Sequence, residues 1–232
     1  MMTAVASREL RDGEVVFVGI GLPNIACNLA RRTHAPHLVL IYESGAVGAV
    51  PERLPVSIGD PALVTGSLMV CGMADVFQLF LQNGRIEVGF LGGAQVDRHG
   101  NINTTVIGSY ERPKVRLPGS GGAAEIAIHA RRILIIAKLS ARTFPERVDF
   151  VTSPGHRVAK VITDKGVLER DQESGELVLA GLYPGIEPAA VQGAVGWSLR
   201  ARARLERLEP PTSVELQVLR EVLDPHQLYL TS

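Results

Sequence analysis

Apolar residues along this chain come in short unbroken runs rather than in strict alternation. Four such runs, at 15–18 and within 38–43, 86–91 and 132–139, are bounded by glycine or polar residues. Runs of this length predict strands buried on both faces. Between them lie stretches with helical spacing. Residues 3–11 predict a short helix stopped by Asp12–Gly13, and Asn24 is positioned to cap a helix that runs to about Thr33. Residues 72–83 place Val76, Phe77, Phe80 and Leu81 on one helical face, with Gly84 suited to end it. Residues 117–130 read as a glycine loop opening a helix, and 100–110 as a polar loop or short strand. A strand, helix, strand opening of this kind predicts a parallel sheet. The expected fold is therefore α/β: an open, mostly parallel sheet with flanking helices. In such sheets ligands sit beyond the carboxyl ends of the strands. The glycine-rich exits at 19–23 and 43–48 both lie at that edge.

After Pro154–Gly155 the texture changes. Residues 157–170 and 175–185 read as strands around a turn at Asp171–Gly175, and a short helix begins near Pro188. A linker rich in Arg, Glu and Pro follows. Residues 212–224 form an amphipathic final helix, with Leu216, Leu219 and Val222 or Leu223 inward, ending at Asp224–Pro225. No internal repeat is present. Residues 1–232 read as one domain whose final helix packs on its own core or on a partner.

A chain of 232 residues buries roughly 70% of its unfolded surface and needs no disulfide or metal staple. Lys+Arg and Asp+Glu balance at 24 each, so no global field draws in nucleic acid or an anionic membrane. Arg200, Arg202, Arg204 and Arg207 alternate with apolar residues and Glu206 and read as a solvated helix face. Cys27 and Cys71 sit in apolar stretches without metal-ligand spacing, and are expected to be buried free thiols in a reducing cytosol. The first residues carry no secretory pattern, and no run of about 18 apolar residues appears. The expectation is a soluble cytoplasmic protein without a metal site.

Three segments offer chemistry. Glu43 ends an apolar run and enters Ser44–Gly45. A carboxylate on a constrained, partly desolvated turn is a candidate nucleophile or general base. Taken alone, it reads more readily as a helix-start carboxylate or a structural ion pair. Gly119–Ser120–Gly121–Gly122 precedes a helix, where backbone N–H groups bind anions or an oxyanion, unless the loop is a plain turn. Gly92–Gly93 leads into Gln95, Asn101 and Asn103, side chains that orient a polar substrate or bond their own backbone. His99 nearby reads as exposed and structural. Arg112, Lys114 and Arg116 are candidates for a second substrate carboxylate, or simply surface.

In order along the chain, these segments resemble the β subunit of the family I coenzyme A transferases, with the glutaconate and 3-oxoacid branches nearest. Glu43–Ser44–Gly45 is similar to the family's catalytic Glu-Ser/Asn-Gly turn, residues 91–105 to its Leu-Gly-Gly-Ala-Gln-Val-Asp segment, and 118–123 to its Gly-x-Gly-Gly-Ala loop. Residues 161–169 and 182–197 resemble its C-terminal signature. The resemblance implies the CoA-transferase fold and Glu43 as nucleophile. Gly119, Ser120, Gly121, Gly122, Gly92 and Gly93 would form the oxyanion and CoA loops. Gln95, Asn101, Asn103, Gly19 and Gly21 would be weaker substrate contacts. It also implies coenzyme A as substrate with no permanently bound cofactor, and an α subunit of related fold in a heterodimer or α2β2 assembly. The final helix or residues 200–212 would serve that interface. The implied reaction moves CoA from an acyl-CoA to a free acid, dicarboxylic and 3-oxo acids included, through a glutamyl anhydride and a glutamyl-CoA thioester. Alternatives on the same fold are a CoA-ester hydrolase of ring degradation and a non-catalytic ligand-binding subunit.

Overall fold

The computed structural model describes residues 1–230, which fall into two compact units. The first comprises Met1–Phe90, His129–Arg131 and the chain from Pro211 onward. It opens with α1 (Met2–Arg8), ended before Gly13, whose φ of 81° suits glycine. Then come β1 (Val15–Phe17), α2 (Leu22–Arg32), β2 (Val39–Ile41), β3 (Ala46–Val47) and β4 (Met69–Val70). Next is α3 (Met73–Asp75), continued as a wider π-type helix over Val76–Leu81, and β5 (Val88–Leu91). The strand order in this unit is β5-β1-β2-β3-β4. β5, β1 and β2 are parallel, as the β–α–β pattern predicts, and β3 and β4 add antiparallel to the edge.

The wider helix explains why only part of the predicted face at 76–81 is buried. Gln82 and Arg85 donate to carbonyls five residues back, Phe77 and Phe80. That rotates the face, so Val76 and Leu81 are fully buried while Phe77 and Phe80 are half-exposed. Asn24 does not cap α2. Gly21 takes the cap with φ 80°, Pro23 sits in the first turn, and Asn24 is buried inside the helix.

The second unit, Leu91–Ile128 with Arg132–Pro210, begins with two ribbons. β6 (Gln95–Val96) pairs with β7 (Ile102–Asn103), and β8 (Val106–Gly108) with β9 (Pro113–Arg116). α4 (Ala123–His129) follows the glycine loop, then β10 (Arg132–Ile136), β11 (Val158–Ile162), β12 (Gly166–Arg170), β13 (Leu177–Leu182), α5 (Pro188–Gln192) and β14 (Ala201–Arg207). β10 to β14 lie in sequence order, with parallel pairs at both ends and antiparallel pairs between. The turn at 171–175 is as predicted. Asp171 accepts the amides of Glu173 and Ser174, and Gly175 has φ 68°.

Residues 201–207 correct two expectations. They are neither a helix face nor a linker but an edge strand. The arginines at 200, 202 and 204 recur every second residue, the period of a strand. Arg202 pairs with Glu169 on β12, and Arg200 with Asp171 and Glu176.

The last helix, α6 (Ser213–Gln217, widening over Val218–Leu223), returns to the first unit. Leu219 and Leu223 are buried against Ala4, Ile25, Leu29 and Leu54, so this helix completes its own core. Leu216 is half-buried and Val222 is exposed. Thr212 caps it, with Glu215 closing the capping box and also pairing with Arg8 of α1.

Candidate active site

The carboxyl ends of β1 and β2 lie side by side, with Phe17 opposite Ile41. Val18 extends the pairing by donating to the Ile41 carbonyl at 3.0 Å. From that edge one strand exits through Gly19 and Gly21 into α2, the other through Glu43. Gly21 needs its positive φ to start the helix. No amide of Gly19 to Gly21 has a partner among the described residues.

Glu43 sits in a hairpin turn between β2 and β3. The Gly45 amide donates to the Tyr42 carbonyl at 2.9 Å, and the Tyr42 amide to the Ala46 carbonyl at 3.0 Å. Gly45 has φ 109°, and a Cβ there would lie 1.9 Å from the Cys71 carbonyl oxygen. That carbonyl belongs to the segment which also donates its Cys71 amide to the Gly45 carbonyl at 3.0 Å. Any side chain at 45 would force the two segments apart, so glycine here is a packing requirement. The predicted constrained turn is therefore real.

Glu43 itself is half-buried and Ser44 exposed. The Glu43 carboxylate accepts no hydrogen bond and forms no ion pair among the described residues. The alternatives of a helix-start carboxylate and a structural ion pair both fall. The turn joins two strands, and no cation meets the side chain.

Two features here escaped the sequence reading. Tyr42 is fully buried, and its phenol oxygen accepts from Asn24 Nδ2 at 2.7 Å. Asn28 in turn donates to Asn24, to Oδ1 at 3.0 Å and to the backbone carbonyl at 2.9 Å. Burial pushes the Tyr42 phenol well above its ordinary range, with the Cys27 sulfur adding in the same direction. The phenol stays neutral. Two asparagines four residues apart on an otherwise apolar helix face were the available signal. The second feature is Cys71. It was expected to be buried but is half-exposed, with Sγ 3.5 Å from the Gly45 carbonyl oxygen. Partial burial and then the Asp75 carboxylate push its thiol upward. Cys27 is fully buried, as expected.

In the second unit the candidate residues divide sharply. Gln95 and Asn103 are buried. Asn103 Nδ2 donates to Gln95 Oε1 at 2.7 Å and to the Val106 carbonyl, and Gln95 Nε2 to Asp149. Asn101 donates to Asp97 and accepts from the Gly155 amide. Their amides hold the β6–β7 hairpin to its surroundings, leaving little capacity for a substrate. Gly93 is a packing glycine, since a Cβ would lie 2.4 Å from Ile102 Cγ2. Gly92 faces open space. The Gly119 amide bonds the Thr104 carbonyl at 2.8 Å, and Ser120 supports the start of α4 by accepting the Ala123 and Ala124 amides. The Ser120, Gly121 and Gly122 amides in that loop remain without a partner among the described residues. His99 is half-buried and held by Arg98, as a structural residue would be. Arg112, Lys114 and Arg116 are exposed, and Arg116 lies over the Tyr110 ring at 4.9 Å.

Among the described residues no cluster of three or more His, Cys, Asp or Glu is placed to hold a metal. Likewise none of the described helices is long and apolar enough to cross a membrane.

Known proteins resemble this chain in sequence and in fold. One subunit of the 3-oxoadipate CoA-transferase of Pseudomonas knackmussii is 48% identical, with 95% of this chain and 90% of that protein aligned. One subunit of the glutaconate CoA-transferase of Acidaminococcus fermentans is 33% identical over 99% of this chain and 93% of its own. The crystal structure of that enzyme superposes with a TM-score of 0.93 at 31% identity, covering 100% of this chain and 96% of the other. The IpdB subunit of a cholesterol ring-cleaving hydrolase from Mycobacterium bovis is 27% identical over 97% of this chain and 94% of its own. The family model described as coenzyme A transferase matches residues 1–194, and on that match and these identities the chain belongs to the coenzyme A transferase family.

Proposed function

We propose that this chain is the nucleophile-bearing subunit of a CoA-transferase and that Glu43 carries the CoA. The observation behind the assignment is the half-buried Glu43 carboxylate, without a partner, on a turn fixed by Gly45 against Cys71. A partnerless carboxylate keeps its lone pairs available for attack, and a fixed turn holds it in one place. In the reaction, Glu43 attacks the thioester carbonyl of an acyl-CoA, giving an acyl-glutamyl anhydride and CoA thiolate. The thiolate then attacks the glutamyl carbonyl, giving a glutamyl-CoA thioester and the free acid. The acceptor carboxylate displaces CoA to form a second anhydride. CoA attacks its acyl carbonyl, releasing the new acyl-CoA and restoring Glu43. A carboxylate nucleophile suits this exchange because its anhydride and thioester match those of the substrates in energy. Water must be excluded, since it would hydrolyse both intermediates.

The acid class we infer is a 3-oxo dicarboxylate, on the strength of the 48% identity to one chain of a 3-oxoadipate CoA-transferase. On the second unit, the free Gly121 and Gly122 amides are our assignment for an oxyanion- or CoA-binding loop. We further propose a companion α subunit, since the relatives at 48% and 33% identity are each one subunit of their enzyme. The final helix is committed to its own core. A better seat is the exposed apolar stretch carrying Val56, Val64, Leu68, Val70 and Met73, where Leu68 is 77% exposed. It runs into Cys71, the residue that braces the Glu43 turn, so a companion chain seated there would also shield the nucleophile.

The test is exchange of CoA between an acyl-CoA and a free acid by the chain coexpressed with its companion subunit. Exchange that requires an acceptor acid and disappears in Glu43→Gln supports the proposal. Release of free CoA at an undiminished rate without an acceptor would instead make the complex a hydrolase.

A further inference from the structure

The Glu43 carboxylate has no bond of its own to hold it, so its position is set by its neighbours in the chain. Gly45 fixes one side. On the other, Tyr42 is anchored at three points: amide, carbonyl and phenol. The two backbone bonds belong to the hairpin. The third, at 2.7 Å, crosses to Asn24 in the first turn of α2, and Asn28 fixes the Asn24 amide by bonding its Oδ1. All three side chains are at most 1% exposed. Tyr42 is thus held in the core, while Glu43, the next residue and the first of the turn, is only half-buried. The buried polar chain links the end of β2 to the segment that follows the Gly19–Gly21 exit.

A phenylalanine would fill the Tyr42 position just as well, and apolar residues would pack at 24 and 28. Three mutually bonded polar groups in an apolar layer specify one geometry more sharply than apolar packing does. We propose that Tyr42, Asn24 and Asn28 are positioning residues for the Glu43 nucleophile, locking its turn against the first turn of α2. This rests on the reading of Glu43 as the residue that carries CoA.

The experiment uses the complex with the companion subunit and measures the single-turnover rate of glutamyl-CoA formation from an acyl-CoA. Hydroxylamine displaces CoA thiolate from the thioester and leaves a glutamyl hydroxamate on Glu43. Thermal stability is followed in parallel. Tyr42→Phe should slow thioester formation by about tenfold to a hundredfold, the scale of a small displacement of a reacting group, with KM for the acyl-CoA little changed. It also lowers Tm, because Asn24 loses its acceptor. The paired variant Tyr42→Phe with Asn24→Leu removes both partners of the phenol bond and leaves Asn28 its bond to the backbone carbonyl of residue 24, so Tm should recover in large part. The rate should not recover, because the link from β2 to α2 is still missing. If the paired variant recovers rate and stability together, or if Tyr42→Phe keeps the full rate, the chain is core packing and the proposal fails. Should Tyr42→Phe fail to fold, the paired variant alone decides. Glu43→Gln separates the two readings. An active Glu43→Gln complex overturns the nucleophile, whereas an inactive one alongside fast Tyr42→Phe overturns only the positioning role.

Discussion

Two hairpins on this molecule carry the polar residues that sequence singled out, and they use them in opposite ways. On the β6–β7 hairpin, Gln95 and Asn103 bond each other, Asp149 and the Val106 carbonyl, and Asn101 bonds Asp97 and the Gly155 amide, so all three side chains are engaged. On the β2–β3 hairpin, the backbone is braced from two sides, yet the carboxylate at its tip has no partner. Folding alone rewards the first arrangement, because buried polar groups are costly unless bonded. The second leaves a reactive group idle in the folded state, which is what a nucleophile requires. Polar residues after a strand thus point to function only when the structure leaves them unused.

That contrast can be broken by substitution. Glu43→Gln removes the nucleophile while keeping shape, and should lower CoA exchange on the order of 10⁴-fold or more. Its thermal stability should stay within about 0.5 kcal/mol of the parent, since no bond is lost. Gly45→Ala forces a Cβ onto the Cys71 carbonyl oxygen and a side chain into a positive φ. The expected loss is about 3 kcal/mol in denaturant unfolding together with most of the exchange activity. Asn103→Leu should behave in reverse. It strips partners from Gln95, Val106 and two amides and costs about 2 kcal/mol, while the folded fraction keeps its turnover per active site. If Asn103→Leu instead abolished turnover without loss of stability, the division between the hairpins would be wrong.

A smaller effect concerns pH. Asp60 accepts two bonds from Arg53, its largest influence, and the amides of Val56 and Ala62. Together these hold its carboxyl well below the ordinary carboxylate range. The support it gives the 53–65 loop is complete above the unfolded carboxylate value, about pH 4, and is lost as pH falls further towards the folded value. Urea unfolding followed from pH 6 to 3 should show this loss in the parent, and a flatter profile in Asp60→Asn.

The parallel heart of the first unit was legible because buried strands read as unbroken apolar runs, and because the glycines at 21 and 45 mark the exits. Residues 201–207 were not. Arginine at every second position scans as a solvated face unless the period of two is weighed against that of 3.6. The 76–81 face was misjudged by part of a turn because periodicity assumes 3.6 residues, and this helix widens. Glu43 stood out as a carboxylate after four apolar residues. Its lack of a partner was invisible, because partners come from residues distant in sequence, as Cys71 does for Gly45. The Asn24, Asn28 and Tyr42 chain was half visible. The spacing of the asparagines lay in the sequence, while the phenol that joins them belongs to another element.

The most direct measurement is peptide mapping by mass spectrometry of the assembled enzyme after acyl-CoA and hydroxylamine, with no acceptor acid present. One glutamyl hydroxamate is expected, on Glu43, formed only when acyl-CoA is supplied and absent from Glu43→Gln. A hydroxamate on another residue of the assembly, or full exchange activity with Glu43 unmodified, would contradict the assignment.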